Sequence, residues 1–264
     1  MACFTPEPAE RPLVHRPRLS EYGWGRRAFL VGAALVGSVA FAYAADVASR
    51  NALWEVVRAC AFDKATTGSP WPCLEVAGPA DRGFAVLRPP FGRPDTILTP
   101  TRRILGLEDP QLQAPETPNY FALAFAARHW LGAAVADPRV EARVALAVNS
   151  RLARSQDQLH VHLGCIIPYF AERLHEGLGP KPRMWFRGPD MAPGLELWTY
   201  RAGTRDMNAL APFRLALRLA GERAGLMRMT LVAATVGDEL VVAALRSRRG
   251  GWYAAAEDVI AARC

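Results

Sequence analysis

Two of the chain's five histidines stand two residues apart in QLHVHLGCII (158–167), inside an otherwise apolar alternation. On a strand, His160, His162, Gly164 and Ile166 face one side while Leu159, Val161, Leu163 and Cys165 face the other. One face is then apolar, and the opposite face, expected to be the open side of the sheet, carries the imidazoles. Attachment points about 7 Å apart let both rings serve one substrate or one metal ion. Three chemistries compete for this pair. Burying two titratable rings for structure alone is costly. A metal site would exploit the convergence of His-x-His, but His129 lies in a predicted helix and His175 beyond Pro168 in another, so no third ligand is spaced to join and no metal is expected. The remaining chemistry is nucleophilic, because an imidazole with a reference pKa of about 6.5 is largely neutral at pH 7 and presents a lone pair.

The pair needs a sheet to hold it, and the surrounding pattern supplies one. RVALAVNS (143–150) reads as a buried strand, followed by a polar loop into QLHVHLGCII, and the two strands are predicted to pair as a wide hairpin. Upstream, NALWEVVRACAF has helical apolar spacing, GFAVLRP and DTILTPTRRI read as two strands, and PETPNYFALAFAARHWLGAAV is predicted to be a helix before Gly132, with Thr117 as N-cap and Pro118 at its first position. Downstream, PRMWFRG and LELWTYRAG suggest strands, APFRLALRLAGERAG a helix, and MRMTLVAATVGDELVVAALRS two strands across a Gly-Asp turn. Strand, helix, strand, strand therefore occurs twice. The expected fold class is α+β, an antiparallel sheet with packed helices in two related halves, of which only the first kept its histidines.

With 264 residues, half of them hydrophobic, the chain can bury a full core. Its net charge of +7 rests on thirty arginines against two lysines, Lys64 and Lys181. That skew fits a GC-rich coding bias better than nucleic-acid recognition, so no nucleic-acid partner is expected. Residues 28–45, AFLVGAALVGSVAFAYAA, are uncharged, and as a helix would span about 27 Å, near the hydrocarbon thickness of a bilayer. Five arginines between positions 11 and 27 precede this run. The positive-inside rule then keeps residues 1–27 as a cytoplasmic tail and exports residues 46–264 as the catalytic domain. The run is read as a transmembrane anchor, or as a cleaved signal, given GRRAFLVG and the AYA at 42–44. Cys60, Cys73, Cys165 and Cys264 all follow it, an even number where disulfides persist. Their three possible pairings stay open, as do free buried thiols, although Cys60 with Cys73 would close a short loop.

In VNSRLARSQDQLHVH, Asn149 stands eleven and Gln156 four residues before His160, with an arginine-bearing loop between. This resembles the histidine-triad superfamily of nucleotidyl hydrolases and transferases, with Gly164 at the third triad position and Arg151, Ala153, Arg154 and Ser155 where that superfamily's phosphate loop is usually glycine-rich. A longer similarity, carried by SPWPCLEV, ILTPTRRILGLEDPQL, TPNYFALAFAAR, LAVNSRLARSQDQLHVHLGCI and the closing Cys264, is to the bacterial CDP-diacylglycerol pyrophosphatase family, whose members keep only the His-x-His pair before a small residue.

The resemblance implies a histidine-triad-like sheet and a membrane-anchored enzyme, single-pass in the bacterial inner membrane with its catalytic domain in the periplasm. It would split CDP-diacylglycerol into CMP and phosphatidate without a cofactor. His162 would attack the cytidine-linked phosphorus and carry a cytidylyl group until water removes it. His160 would orient the nucleophile, Asn149 and Gln156 would donate to nonbridging oxygens or hold the loop, and Arg151 or Arg154 would neutralise charge beside Ser155. Backbone amides at Gly164 or Cys165 would approach the phosphate. Phosphatidate leaves as a phosphate monoester with a second pKa near 6, so a missing third histidine is tolerable. The readings in competition are a nucleotidyl transferase of the same superfamily and a non-catalytic exported nucleotide or lipid binder. Oligomeric state is not legible. Trp71, Trp185, Trp198 and Trp252 are candidates for contact with the membrane.

Overall fold

A computed structural model describes residues 49–88, 96–261 and 264. The apolar run at 28–45 lies outside the described residues. Among those described, no helix is long and apolar enough to cross a membrane.

The first helix, α1 (Ala52–Thr67), buries Leu53, Val57 and Cys60, an i, i+4, i+7 stripe, and stops at Gly68, whose φ of 83° suits a residue without a β-carbon. The strands β1 (Glu75–Ala77), β2 (Phe84–Leu87) and β3 (Thr96–Pro100) follow as an antiparallel meander. Next comes α2 (Tyr120–Ala126). Its N-cap is Asn119, whose side chain accepts from the Ala122 N–H, rather than Thr117. Thr117 instead donates to the Gln111 carbonyl and accepts from Arg102, so its hydroxyl is committed to the preceding loop. At Ala127 the α-helix tightens into a 3-10 turn ending at Leu131.

The wide hairpin consists of β4 (Val144–Val148) and β5 (Val161–Ile166), antiparallel with Ala147 opposite His162. Then come α3 (Pro168–Glu176), β6 (Trp185–Arg187), β7 (Leu195–Arg201), α4 (Pro212–Ala220), β8 (Met229–Val236), β9 (Glu239–Ser247) and β10 (Ile260–Ala261). Gly221, at φ 76°, ends α4, so the predicted helix through Gly225 is broken there. Gly237, at φ 60°, takes the first turn position between β8 and β9, where a two-residue hairpin needs a positive φ.

The mixed α/β fold is built on one antiparallel sheet in the order β1-β2-β3-β5-β4-β8-β9-β7-β6, with β10 added to β5. The order β2-β3-β5-β4 is mirrored by β6-β7-β9-β8 about the β4·β8 pair. The helices in corresponding positions, α2 and α4, lie on one face, where Phe121 and Phe213 meet edge-on with ring centroids 5.2 Å apart. That face carries the larger core, which includes Leu98, Leu146, Leu159, Val161 and Leu163. The other face has two smaller cores. One holds α1 with Ala85 and Ile97; the second holds α3 with Ala145, Ala147, Ala254 and Ala256. His162, paired with Ile97 on one side and Ala147 on the other, sits on this second face at the junction of the two smaller cores.

Two disulfides are formed. Cys60–Cys73 closes the short loop, and Cys165–Cys264 ties the chain's end to β5. Strand β10 pairs with the C-terminal part of β5, beyond the stretch that β3 occupies. Of the four candidate tryptophans only Trp71 is exposed, at 75 %. Trp185 and Trp198 pack against the main core with their indole N–H groups bonded to the Leu215 carbonyl and to Glu196.

Candidate active site

Strand pairing brings the candidate residues together in steps. Ala147 of β4 faces His162, and Asn149, two residues on, shares that side of the sheet. His160 precedes β5, and its ring lies 4.9 Å from that of His162, tilted by 57°. The two imidazoles were expected on an open side of the sheet. The structure buries them, with His160 8 % and His162 6 % exposed. The cause is the C-terminal segment, which leaves β9 and crosses this face. Its course is marked by Thr230 Oγ1 donating to the Ala254 carbonyl, Ala256 N–H donating to Asn149 Oδ1 at 2.6 Å, and Ile167 N–H donating to the Val259 carbonyl.

These bonds settle both tautomers. His160 Nδ1 lies 2.7 Å from the Gln158 carbonyl, which can only accept, so Nδ1 carries the proton and Nε2 the lone pair. Asn149 Oδ1 is committed to Ala256 N–H, which orients its amide so that Nδ2 points at His162 Nε2 and at Glu257 Oε2, 3.4 Å from each. An amide nitrogen only donates. His162 in its neutral form therefore has a bare Nε2 and its proton on Nδ1.

The electrostatics follow from this packing. Burial first, and then the adjacent His162, push the His160 pKa down to about 4, against the Gln158 carbonyl, which favours the protonated ring. Burial pushes the Glu257 carboxyl up, but His162, its own backbone N–H, Asn149 and His160 together outweigh that and hold it below the usual carboxylate range. Glu257 is thus an anion beside the two rings. Sequence reasoning missed it, since 95 residues separate it from His162, and only the tertiary course of the chain joins them.

Gln156 and Gln158 exchange the weight that spacing assigned. Gln156 accepts from Leu53 N–H and donates to the Ser49 carbonyl, so it secures the start of α1. Gln158, fully buried, donates to Thr99 Oγ1 and the Pro100 and Arg102 carbonyls, and accepts from Ile104 N–H. It pins the segment after β3 and holds the carbonyl that orients His160. The signal was available in proximity: Gln158 stands two residues before His160, next to it on one side of an extended chain, whereas Gln156 is four away.

Arg154, 6 % exposed, is held by Glu108 through two nitrogens and by Asp157. Gly106 lets this pair sit close, since a β-carbon there would stand 2.1 Å from an Arg154 guanidinium nitrogen and would displace it. Hydrogen bonds from Arg50, more than those from Arg154, hold the Asp157 pKa at about 2. Arg154 does line a shallow hollow with Gly106, Asn149, Gln158 and His160, but its charge is already matched. Arg151 and Ser155 are exposed in the same loop, and the Arg151 guanidinium has no partner among the described residues. Gly164 is buried in β5 opposite Ala145. Neither His129 nor His175 joins the pair, and the described residues contain no cluster of three or more His, Cys, Asp or Glu arranged to hold a metal ion. The mirrored half has no equivalent loop, because β8 and β9 are joined by the two-residue Gly237–Asp238 turn where β4 and β5 are joined by residues 149–160.

Comparison with known proteins puts the chain among pyrophosphatases. The family model for CDP-diacylglycerol pyrophosphatase matches residues 48–264. A CDP-diacylglycerol pyrophosphatase of Yersinia pestis is 31 % identical over 224 residues, covering 83 % of this chain and 86 % of that protein. The chain belongs to the CDP-diacylglycerol pyrophosphatase family.

Proposed function

We propose that the protein hydrolyses CDP-diacylglycerol to CMP and phosphatidate through a cytidylyl group carried on His162. The observation that carries this reading is the Asn149 amide, 3.4 Å from His162 Nε2 and oriented by Ala256, which leaves that nitrogen as the bare acceptor a nucleophile requires. Attack on the cytidine-linked phosphorus expels phosphatidate, a leaving group that needs little protonation. His160, fixed by Gln158, packs against the nucleophilic ring and limits its rotation. Asn149 Nδ2, once released from His162, donates to a nonbridging oxygen, where a positioned donor is worth most. Arg151 supplies a positive charge to the diphosphate. With His162 only 6 % exposed, the substrate must reach the ring from the side of the hollow lined by Gly106, Asn149 and His160, with the Ala256–Asp258 turn staying in place.

The mirrored strand order and the His-x-His on an inner strand support a histidine-triad-like fold. Residues 28–45 serve as the anchor, residues 1–27 as the cytoplasmic tail and residues 46–264 as the periplasmic catalytic domain. Two disulfides beyond the apolar run support an oxidising compartment, and a diacyl substrate is held in its bilayer by about 0.8 kcal/mol per buried methylene, so the enzyme must work at the membrane.

The test is CMP release from CDP-diacylglycerol by wild type and His162→Ala, with mass spectrometry of the quenched wild-type protein under alkaline conditions. A loss of at least about 10³-fold and a cytidylyl adduct on His162 are expected. Equal rates from the two proteins would reject the assignment.

A further inference from the structure

Loss of the third histidine is harmless to the first half of such a reaction but leaves the second half short of a group. Phosphatidate departs without help, whereas the water that removes the cytidylyl group must give up a proton, and Gly164 has no side chain to take it. We infer that Glu257 is the catalytic base of this second step, a role that rests on the covalent route through His162. In it, the water oxygen bonds to phosphorus while Glu257 takes its proton. The phosphorus–Nε2 bond breaks, and its electron pair returns to a ring that keeps its own proton on Nδ1. Neutral His162 and CMP result, and Glu257 passes its proton to solvent.

Three observations support this. Glu257 Oε2 and His162 Nε2 share one neighbour, Asn149 Nδ2, at 3.4 Å each, so the carboxylate oxygen stands within about 7 Å of the nucleophilic nitrogen. A phosphorus on Nε2, a water about 3 Å beyond it and a base about 3 Å from that water fit into such a separation. Glu257 is also firmly mounted, in a single 3-10 turn, Ala256–Asp258. Asp258 caps that turn through the Ala255 N–H, Asn149 holds it through the Ala256 N–H, and β10 and Cys165–Cys264 secure the chain beyond it. Finally, Asn149 Nδ2 donates to the Glu257 carboxylate, which favours the ionised form a base must have. His160 is a weaker candidate, since its ring packs against His162 and its orientation is spent on Gln158.

The experiment is rapid-quench kinetics of full-length wild type and Glu257→Gln with CDP-diacylglycerol, following phosphatidate and CMP separately, with and without azide. Azide attacks phosphorus without giving up a proton and so bypasses a base. Glu257→Gln is expected to release one equivalent of phosphatidate per enzyme within about threefold of the wild-type rate, then to release CMP about 10²–10³-fold more slowly. Cytidylyl transfer to azide should stay near wild type. Glu257→Asp should recover part of the CMP rate. Unchanged CMP release, or a matched loss of phosphatidate burst, azide transfer and CMP, overturns the inference, the latter outcome assigning Glu257 a purely structural part. Absence of any adduct on wild-type His162 would remove the covalent route and this inference with it, whereas a failure confined to Glu257→Gln would leave the covalent route standing.

Discussion

The Ala256 N–H donates to Asn149 Oδ1 at 2.6 Å, linking residues 107 positions apart. This single bond orients the amide that meets His162, and it also draws the C-terminal segment across the face that would otherwise be open. Orientation of the amide that meets His162 and closure of that face are therefore one structural event.

Asn149→Asp puts a carboxylate oxygen where Nδ2 now faces both Glu257 and His162. Repulsion from Glu257 follows, and the donor that meets His162 Nε2 and would serve the nonbridging oxygen is lost. The kcat/KM is expected to fall about 10²–10³-fold. A kcat/KM equal to that of wild type would show that the amide does not govern the site.

Arg154 and Arg151 should separate cleanly. Arg154→Met leaves Glu108, whose side chain is 10 % exposed, without its bidentate partner. The expected cost is about 3–5 kcal/mol of stability in urea unfolding, with little change in KM for the protein that remains folded. Arg151→Ala should leave stability within about 0.5 kcal/mol and raise KM several-fold. The opposite pattern would mean that Arg154 exchanges Glu108 for the substrate.

Stability should depend on pH through His160. Its folded pKa, about 4, lies below the reference 6.5, so between those values the unfolded chain binds a proton that the folded protein refuses. The stabilisation is complete above pH 6.5 and is lost as pH falls to about 4, a change on the order of 3 kcal/mol. His160→Asn keeps a donor for the Gln158 carbonyl but does not titrate, and should flatten this part of the curve. Denaturant titrations at successive pH values measure it, and equal slopes for the two proteins would contradict the prediction.

Much of the scaffold could be read from local pattern. The β4–β5 hairpin, the β8–β9 hairpin and α1 follow from periodicity, since apolar alternation or helical spacing is written within a dozen neighbouring residues. The N-cap at Asn119 was misplaced on Thr117 because both residue types cap helices, and the choice fell to a tertiary partner: the Asn119 amide also donates to the Met207 and Leu210 carbonyls. Gln156 was overvalued for the same reason, as its amide serves α1 and Ser49, which no spacing rule connects to it.

The sequence alone determined the two imidazoles, their shared strand face, and the neighbouring Asn149, because strand alternation and hairpin pairing are short-range geometry. Only the tertiary structure decided that Arg154 is neutralised by Glu108, that Gln158 rather than Gln156 is buried beside His160 and pins the segment after β3, and that Glu257 meets the Asn149 amide beside His162. Each of those pairings joins segments 46 to 108 positions apart, and contacts at such range are selected by how the whole sheet, its helices and the disulfide-tethered C-terminus pack, which no local pattern encodes.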